Sequence, residues 1–306
     1  MRPLFLIPLV ASSLCLSSCY IDGVGWGEHF NKDFHSSYPL KAGGRLTVET
    51  FNGSVEISGW DQDTVDISGT KYGPTQSEAD NLQVNIDATA DSVTIRVPRP
   101  SLGRNEGARF VIKIPRNATL SRITTSNASI RTQDGVGPAR LKSNNGSIHV
   151  ADFRGRLDAE TSNSAIELLN VEGDATVHSS NGHIHADRLA GSLDATTSNG
   201  GIQADLTRPD RSVRAETSNN SVELTLPAHF SSDVRVSTKN GGITLRLPES
   251  TNARVSARTS NSSVTTDFEI TAHGEISRNH LDGVIGAGGP LIELTTSNGG
   301  IRLLRR

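Results

Sequence analysis

The chain has 306 residues, with 30 Lys and Arg against 33 Asp and Glu, a formal net charge of −3 and a hydrophobic share of 34%. So even a balance gives no electrostatic reason to expect nucleic acid, whose phosphates call for clustered Lys and Arg. The only two cysteines, Cys15 and Cys19, lie at the start of the chain, so the remainder has no internal disulfide and must be stabilised by packing and hydrogen bonds.

Residues 1–19 open with Arg2, continue through the apolar stretch Leu4–Leu14 and end on Leu16-Ser17-Ser18-Cys19, which resembles a lipobox. The stretch is far shorter than the ~20 apolar residues of a membrane-spanning helix. The expected organisation is a lipoprotein signal peptide over 1–18, cleavage that leaves lipid on Cys19, and a linker over 19–37. Attachment is then to a lipid bilayer through Cys19. Tyr20 stands where an Asp would retain a lipoprotein at the inner membrane, so the expected place is the cell envelope, in the outer membrane of a Gram-negative host.

Residues 38–120 read as irregular N-terminal rungs and a cap. Arg45–Glu49, Val55–Ile57, Thr64–Ile67, Leu82–Ile86, Val93–Val97 and Phe110–Ile114 alternate as strands, and Thr75–Leu82 suits one short helix. Phe51-Asn52-Gly53-Ser54-Val55 introduces a turn that then recurs.

Residues 121–306 carry that turn as a repeat. Asn127, Asn145, Asn163, Asn181 and Asn199 fall 18 residues apart, and Asn219, Asn240, Asn261 and Asn298 continue with wider spacing. A period of this length predicts an all-β, single-domain β-solenoid of about 18–21 residues per rung. Counting from the Ile after each turn, positions +2, +5, +9 and +11 are apolar or small, +7 is Gly, and +13 is Thr or Ser. Alternation places +9, +11 and +13 on one strand face. Position +9 reads Ala139, Leu157, Ala175, Leu193 while +11 reads Leu141, Ala159, Val177, Ala195, an exchange of large and small that fills a narrow interior between stacked rungs. The Asn column predicts a side-chain amide ladder that satisfies groups buried at the bend, a structural role in preference to a ligand site.

Beyond residue 202 the extra residues gather around Arg208-Pro209-Asp210, Leu226-Pro227-Ala228 and Leu247-Pro248-Glu249, which predicts larger loops on one edge. Ile276, Leu281, Gly283 and Ile285 fit the rung template again, and Ile292, Leu294 and Thr296 resume it after Gly286-Ala287-Gly288-Gly289-Pro290.

The motif Gly43-Gly44-Arg45-Leu46-Thr47-Val48-Glu49-Thr50-Phe51-Asn52-Gly53-Ser54-Val55, the repeated Thr-Ser-Asn-Gly runs and Gly283–Pro290 resemble the putative-adhesin family of β-strand-repeat envelope proteins over residues 36–306. That resemblance implies a domain of no established biochemical activity and supplies no catalytic residues to carry over.

His149, Glu167 and His185 occupy +1 of three consecutive rungs, about 4.8 Å apart if rungs stack. Two imidazoles and a carboxylate are a metal-ligand set, but three ligands without a fourth favour an exposed charge ladder. The functional expectation is therefore a non-catalytic envelope module without cofactor, acting as a scaffold or adhesin-like surface for an envelope or extracellular protein or polymer. A polysaccharide-processing enzyme and an envelope sensor or regulatory accessory protein are the alternatives. Between Asn127 and Val264 there is neither Trp nor Tyr, so the repeat itself is poor in the side chains that grip partners.

Overall fold

The computed structural model describes residues 30–100, 105–272 and 277–306. The expected signal peptide and Cys19 lie outside the described residues. In chain order the cap holds β1 (Phe30–Pro39), β2 (Arg45–Glu49), β3 (Val55–Trp60), β4 (Thr64–Gly73), α1 (Gln76–Asn81), β5 (Asn85–Ala88), β6 (Ser92–Arg96) and β7 (Gly107–Pro115). The regular stack follows with β8 (Thr119–Thr124), β9 (Ile130–Gln133), β10 (Ala139–Ser143), β11 (Ile148–Arg154), β12 (Leu157–Thr161), β13 (Ile166–Glu172), β14 (Ala175–Ser179), β15 (Ile184–Ala190), β16 (Leu193–Thr197), β17 (Ile202–Arg208), β18 (Val213–Glu216), β19 (Val222–Thr225), β20 (Val234–Ser237) and β21 (Ile243–Leu247). The C-terminal part is β22 (Ala253–Thr259), β23 (Val264–Thr266), β24 (Ile270–Ala272), β25 (His280–Ile285), β26 (Leu291–Thr296) and β27 (Ile301–Arg305).

Each rung gives one strand to a 13-stranded sheet and the next to a 14-stranded sheet. Equivalent residues of successive rungs pair in parallel: Ile148 with Ile166, Val150 with Leu168, Ala139 with Leu157 and Leu141 with Ala159. All of these are buried, and in the Ala139–Leu157 and Leu141–Ala159 pairs large meets small as the column pattern requires. No single rung can bury such a row, so the stack is the smallest unit with a core.

Strict alternation would turn Phe153, Val171 and Leu189 outward. They are buried because Asp152, Asn170 and Arg188 take left-handed φ values of 52°, 53° and 54° and reverse the facing of the strand. Asp and Asn accept this conformation at less cost than most residues. The kink ends where β15 meets β17, where Ala186 pairs with Ala204 but Leu189 pairs with Leu206, one residue fewer. From there Ile202, Ala204 and Leu206 alternate without a bulge.

Two expectations are corrected. The part of the 19–37 linker that is described, residues 30–37, belongs to β1, which pairs antiparallel with β4. Its inward Phe34 reaches across Gly69 to Phe110, ring centroids 6.0 Å apart at 78°, a contact between segments far apart in sequence. Of the expected rung Ile276, Leu281, Gly283 and Ile285, Ile276 lies outside the described residues and the other three do not form a further rung. They lie in β25, antiparallel to β22, and β26 and β27 instead insert between rungs β20/β21 and β22/β23. The first rung, β2/β3, is likewise interior, with β6/β7 on one side and β8/β9 on the other. Among the described residues no helix is long and apolar enough to cross a membrane.

Candidate functional site

At the Asn turn the sequence places a hydroxyl and an amide two residues apart, as in Thr161 and Asn163, the hydroxyl buried and the amide exposed. The amides form a continuous ladder: Asn145 Nδ2 donates to Asn127 Oδ1 at 2.7 Å, Asn163 to Asn145 at 2.6 Å, Asn181 to Asn163 at 2.8 Å and Asn199 to Asn181 at 2.7 Å. It extends back to Asn52 and forward through Asn219 and Asn240. Asn298 then bonds Asn240, and Asn261 bonds Asn298, following the inserted rung and not the chain order. Every one of these sequence-predicted amides is solvent-exposed except Asn52, which is half-buried. The buried polar groups at the bend are served by another column. Thr161 Oγ1 donates to Gly146 O at 2.9 Å, Thr197 to Gly182 O at 3.1 Å and Thr217 to Gly200 O at 2.8 Å, each hydroxyl reaching the preceding rung. Glycine is required beside it, since a methyl group on Gly182 would lie 1.7 Å from Ser164 O.

The outer face of the 13-stranded sheet carries the residues with chemistry. His35, Ser68, Val111, Glu56, Arg131, His149, Glu167 and His185 form one row across neighbouring strands. His149 Nδ1 meets Glu167 Oε2 at 2.9 Å, and its Nε2 meets Ser147 Oγ at 2.9 Å. His185 stands in register beside Glu167 without a hydrogen bond to it. Among the described residues no group of three or more His, Cys, Asp or Glu is arranged to hold a metal ion. The contact with Ser147 was missed in the sequence, where the residue reads only as a small turn position. The order Ser, His, Glu is that of a hydrolytic relay. Here it lies open on a strand face with Glu167 47% exposed, without the enclosure that acyl transfer needs.

Where that row enters the cap, its surroundings change. Arg109, Val111 and Lys113 of β7 project outward, with Val111 49% exposed. Arg109 stacks on Tyr72 at 4.9 Å and Lys113 on Trp60 at 5.7 Å. Burial pushes the Tyr72 hydroxyl above its ordinary pKa, against the opposing pull of Arg109. Trp60 is fixed by its Nε1 donating to Thr64 O at 2.7 Å. His35 bridges Asp66 at 3.1 Å and Ser68 at 3.2 Å. A shallow groove of about 720 Å³ runs between Asp33, His35, Glu56, Arg109 and Val111. A second groove of about 380 Å³ opens where the longer loops meet, lined by Arg208, Pro209, His229, Phe230, Asn252 and Pro290.

On the outer face of the other sheet charges pair between rungs. Lys142 Nζ lies 2.6 Å from Glu160 Oε1 and Arg140 lies 3.6 Å from Asp158. The Lys142 hydrogen bond, helped by Arg140 and His178, holds the Glu160 carboxyl below its ordinary pKa despite some burial.

Residues 44–243 match the family model for Toastrack DUF4097. No curated relative matches the sequence. Among solved structures, the chain is similar to a putative adhesin from Parabacteroides merdae, with 10% identity, 89% of this chain and 96% of that chain covered, and a TM-score of 0.36. A putative adhesin from Bacteroides fragilis gives 10%, 90%, 97% and 0.30 in the same order, and a putative cell adhesion protein from Clostridium sporogenes gives 13%, 90%, 100% and 0.24.

Proposed function

The chain belongs to the Toastrack DUF4097 family, and we propose that this member is a non-catalytic interaction module of the cell envelope, tethered through lipid on Cys19 and gripping a partner protein with the outer face of its cap. One observation carries the reading: Trp60, Tyr72, Arg109 and Lys113 are ordered by mutual stacking around an exposed Val111. Aromatic and Arg side chains held in place lose little entropy on binding, which is why they dominate interface energetics. The regular rungs then serve as a rigid body behind the gripping face.

A photo-reactive amino acid at position 111, compared with one at Gln203 on the same outer face of the regular stack, tests this in intact cells. A discrete cross-linked species from 111 and none from 203 is expected; adducts of equal yield from both would refute the assignment. The tether is tested separately by Cys19→Ala, which should move the protein from the membrane pellet to the soluble fraction.

The Ser147, His149 and Glu167 chain favours a second reading, hydrolysis. Labelling of Ser147 by a serine-reactive fluorophosphonate, lost in His149→Ala, would put that reading first.

A further inference from the structure

Besides half-buried Asn52 at its start, five of the ladder amides, Asn145, Asn181, Asn199, Asn240 and Asn298, are followed directly by Gly, and these five are exposed. Asn-Gly is the pair most prone to spontaneous conversion to aspartate, because no side chain hinders the following nitrogen. In that reaction the Gly nitrogen gives up its proton and bonds to the Asn Cγ. The Cγ–Nδ2 bond breaks and the amide leaves as ammonia, and water then opens the cyclic imide to aspartate or isoaspartate. An exposed column of such pairs is a chemical liability along the whole stack.

The attacking nitrogen is nevertheless occupied in every one of these rungs. Gly146 N–H donates to Ser143 Oγ at 2.9 Å and Gly182 N–H to Ser179 Oγ at 2.9 Å. Gly200, Gly241 and Gly299 donate to the hydroxyls of Thr197, Thr238 and Thr296, each at 3.3 Å. These hydroxyls are themselves buried, 0 to 5% exposed. Gly146, Gly182, Gly200 and Gly241 are themselves buried and Gly299 half-buried, so water and base are kept from the proton that must leave, and a bonded N–H is a poorer nucleophile than a free one. The leaving group is held as well, since each Asn Nδ2 donates along the ladder. The Gly backbone has no room to swing toward Cγ: a methyl group on Gly146 would sit 1.9 Å from Ala128 O.

From this geometry we propose that the buried Ser and Thr hydroxyls protect the exposed Asn-Gly column from conversion to aspartate, with Asn145 and Asn181, under the shorter Ser bonds, the best protected. Conversion at any one rung is destructive. An aspartate there has no N–H to donate to the Oδ1 of the rung before it. Isoaspartate adds a backbone methylene where the chain is already in contact with the neighbouring carbonyl.

The test holds the wild type, Ser143→Ala and Ser143→Thr at mildly alkaline pH and follows conversion at Asn145 and Asn181 by peptide mass spectrometry. Ser143→Ala should accelerate Asn145 about tenfold, the factor expected for loss of one hydrogen bond, and leave Asn181 in the same molecule unchanged. Ser143→Thr, which keeps the hydroxyl, should stay near the wild-type rate. An Asn145 rate in Ser143→Ala equal to that of the wild type would overturn the proposal. If Ser143→Ala loses its fold, Asn181 accelerates with Asn145, and the wild type alone decides: Asn199, Asn240 and Asn298 should convert before Asn145 and Asn181, and the reverse order refutes the protection.

Discussion

The regular stack and the N-terminal cap use the same sheets for different ends. Between β8 and β21 each rung repeats its neighbour, and side chains at equivalent places meet their own kind: Asn on Asn, apolar on apolar, hydroxyl beneath glycine. In the cap the partners are unlike, with Phe34 on Phe110, Arg109 on Tyr72 and Lys113 on Trp60. Repetition gives stability that spreads over many equal contributions, whereas dissimilar neighbours create a surface with local identity, which recognition requires.

The comparison breaks most readily in the core. Phe153 is fully buried behind the kink at Asp152, so Phe153→Ala should cost about 3–5 kcal/mol in urea unfolding, felt by rungs on both sides. Phe34→Ala, at a half-buried site in an edge strand, should cost clearly less and leave hydrogen exchange of β10 to β19 unaltered. Equal costs would mean that the cap and stack unfold as one unit.

Thr161→Val removes the hydroxyl bonded to Gly146 O while keeping the shape, and should cost about 1–2 kcal/mol because a buried carbonyl loses its donor. Asn181→Ala removes two ladder bonds, yet both are exposed and water replaces them. Its cost should be at most about 1 kcal/mol, and an effect larger than that of Thr161→Val would reverse the ranking of the two columns.

The smallest effect concerns charge. Glu160 has a folded pKa below its ordinary value because of Lys142, so its contribution is present above the unfolded pKa of ~4.3 and is lost as pH falls through the lower folded value. Glu160→Gln should therefore lower stability at neutral pH by less than about 1 kcal/mol, reduced by partial exposure, and flatten the acid side of the stability profile. A variant with an unaltered profile would show that the Lys142 pair contributes nothing.

How far these features were legible depends on whether they repeat. The inward columns at Ile148, Val150, Leu157 and Ala159, and Thr161 on the same face, follow from period and alternation alone. The amide pairing as far as Asn240 follows from the same count, but the exposure of the amides does not. Spacing gives which residues stack and says nothing of which side of the bend faces water. The place of β26 and β27 was hidden because a period fixes the contents of a rung and not the order in which rungs are laid down. β1 was hidden because its partners lie in β4 and across to Phe110, and its Asn31, Lys32, Asp33 and His35 read as solvated chain. The Ser147 to His149 contact needed side-chain geometry that no spacing supplies.

A pile of rungs laid down in chain order resembles a zip fastener, opening one tooth at a time from whichever end is tugged. In this molecule the rung nearest each terminus is threaded one place inward, β2/β3 behind β6/β7 and β26/β27 behind β22/β23. Tension applied ahead of β1, after peeling that strand, reaches a rung gripped from both sides, and tension applied after β27 meets such a rung at once. The strand first loaded there, β2 or β27, is hydrogen-bonded to a neighbour along each of its edges. It is the arrangement of a fastening sewn in at both ends.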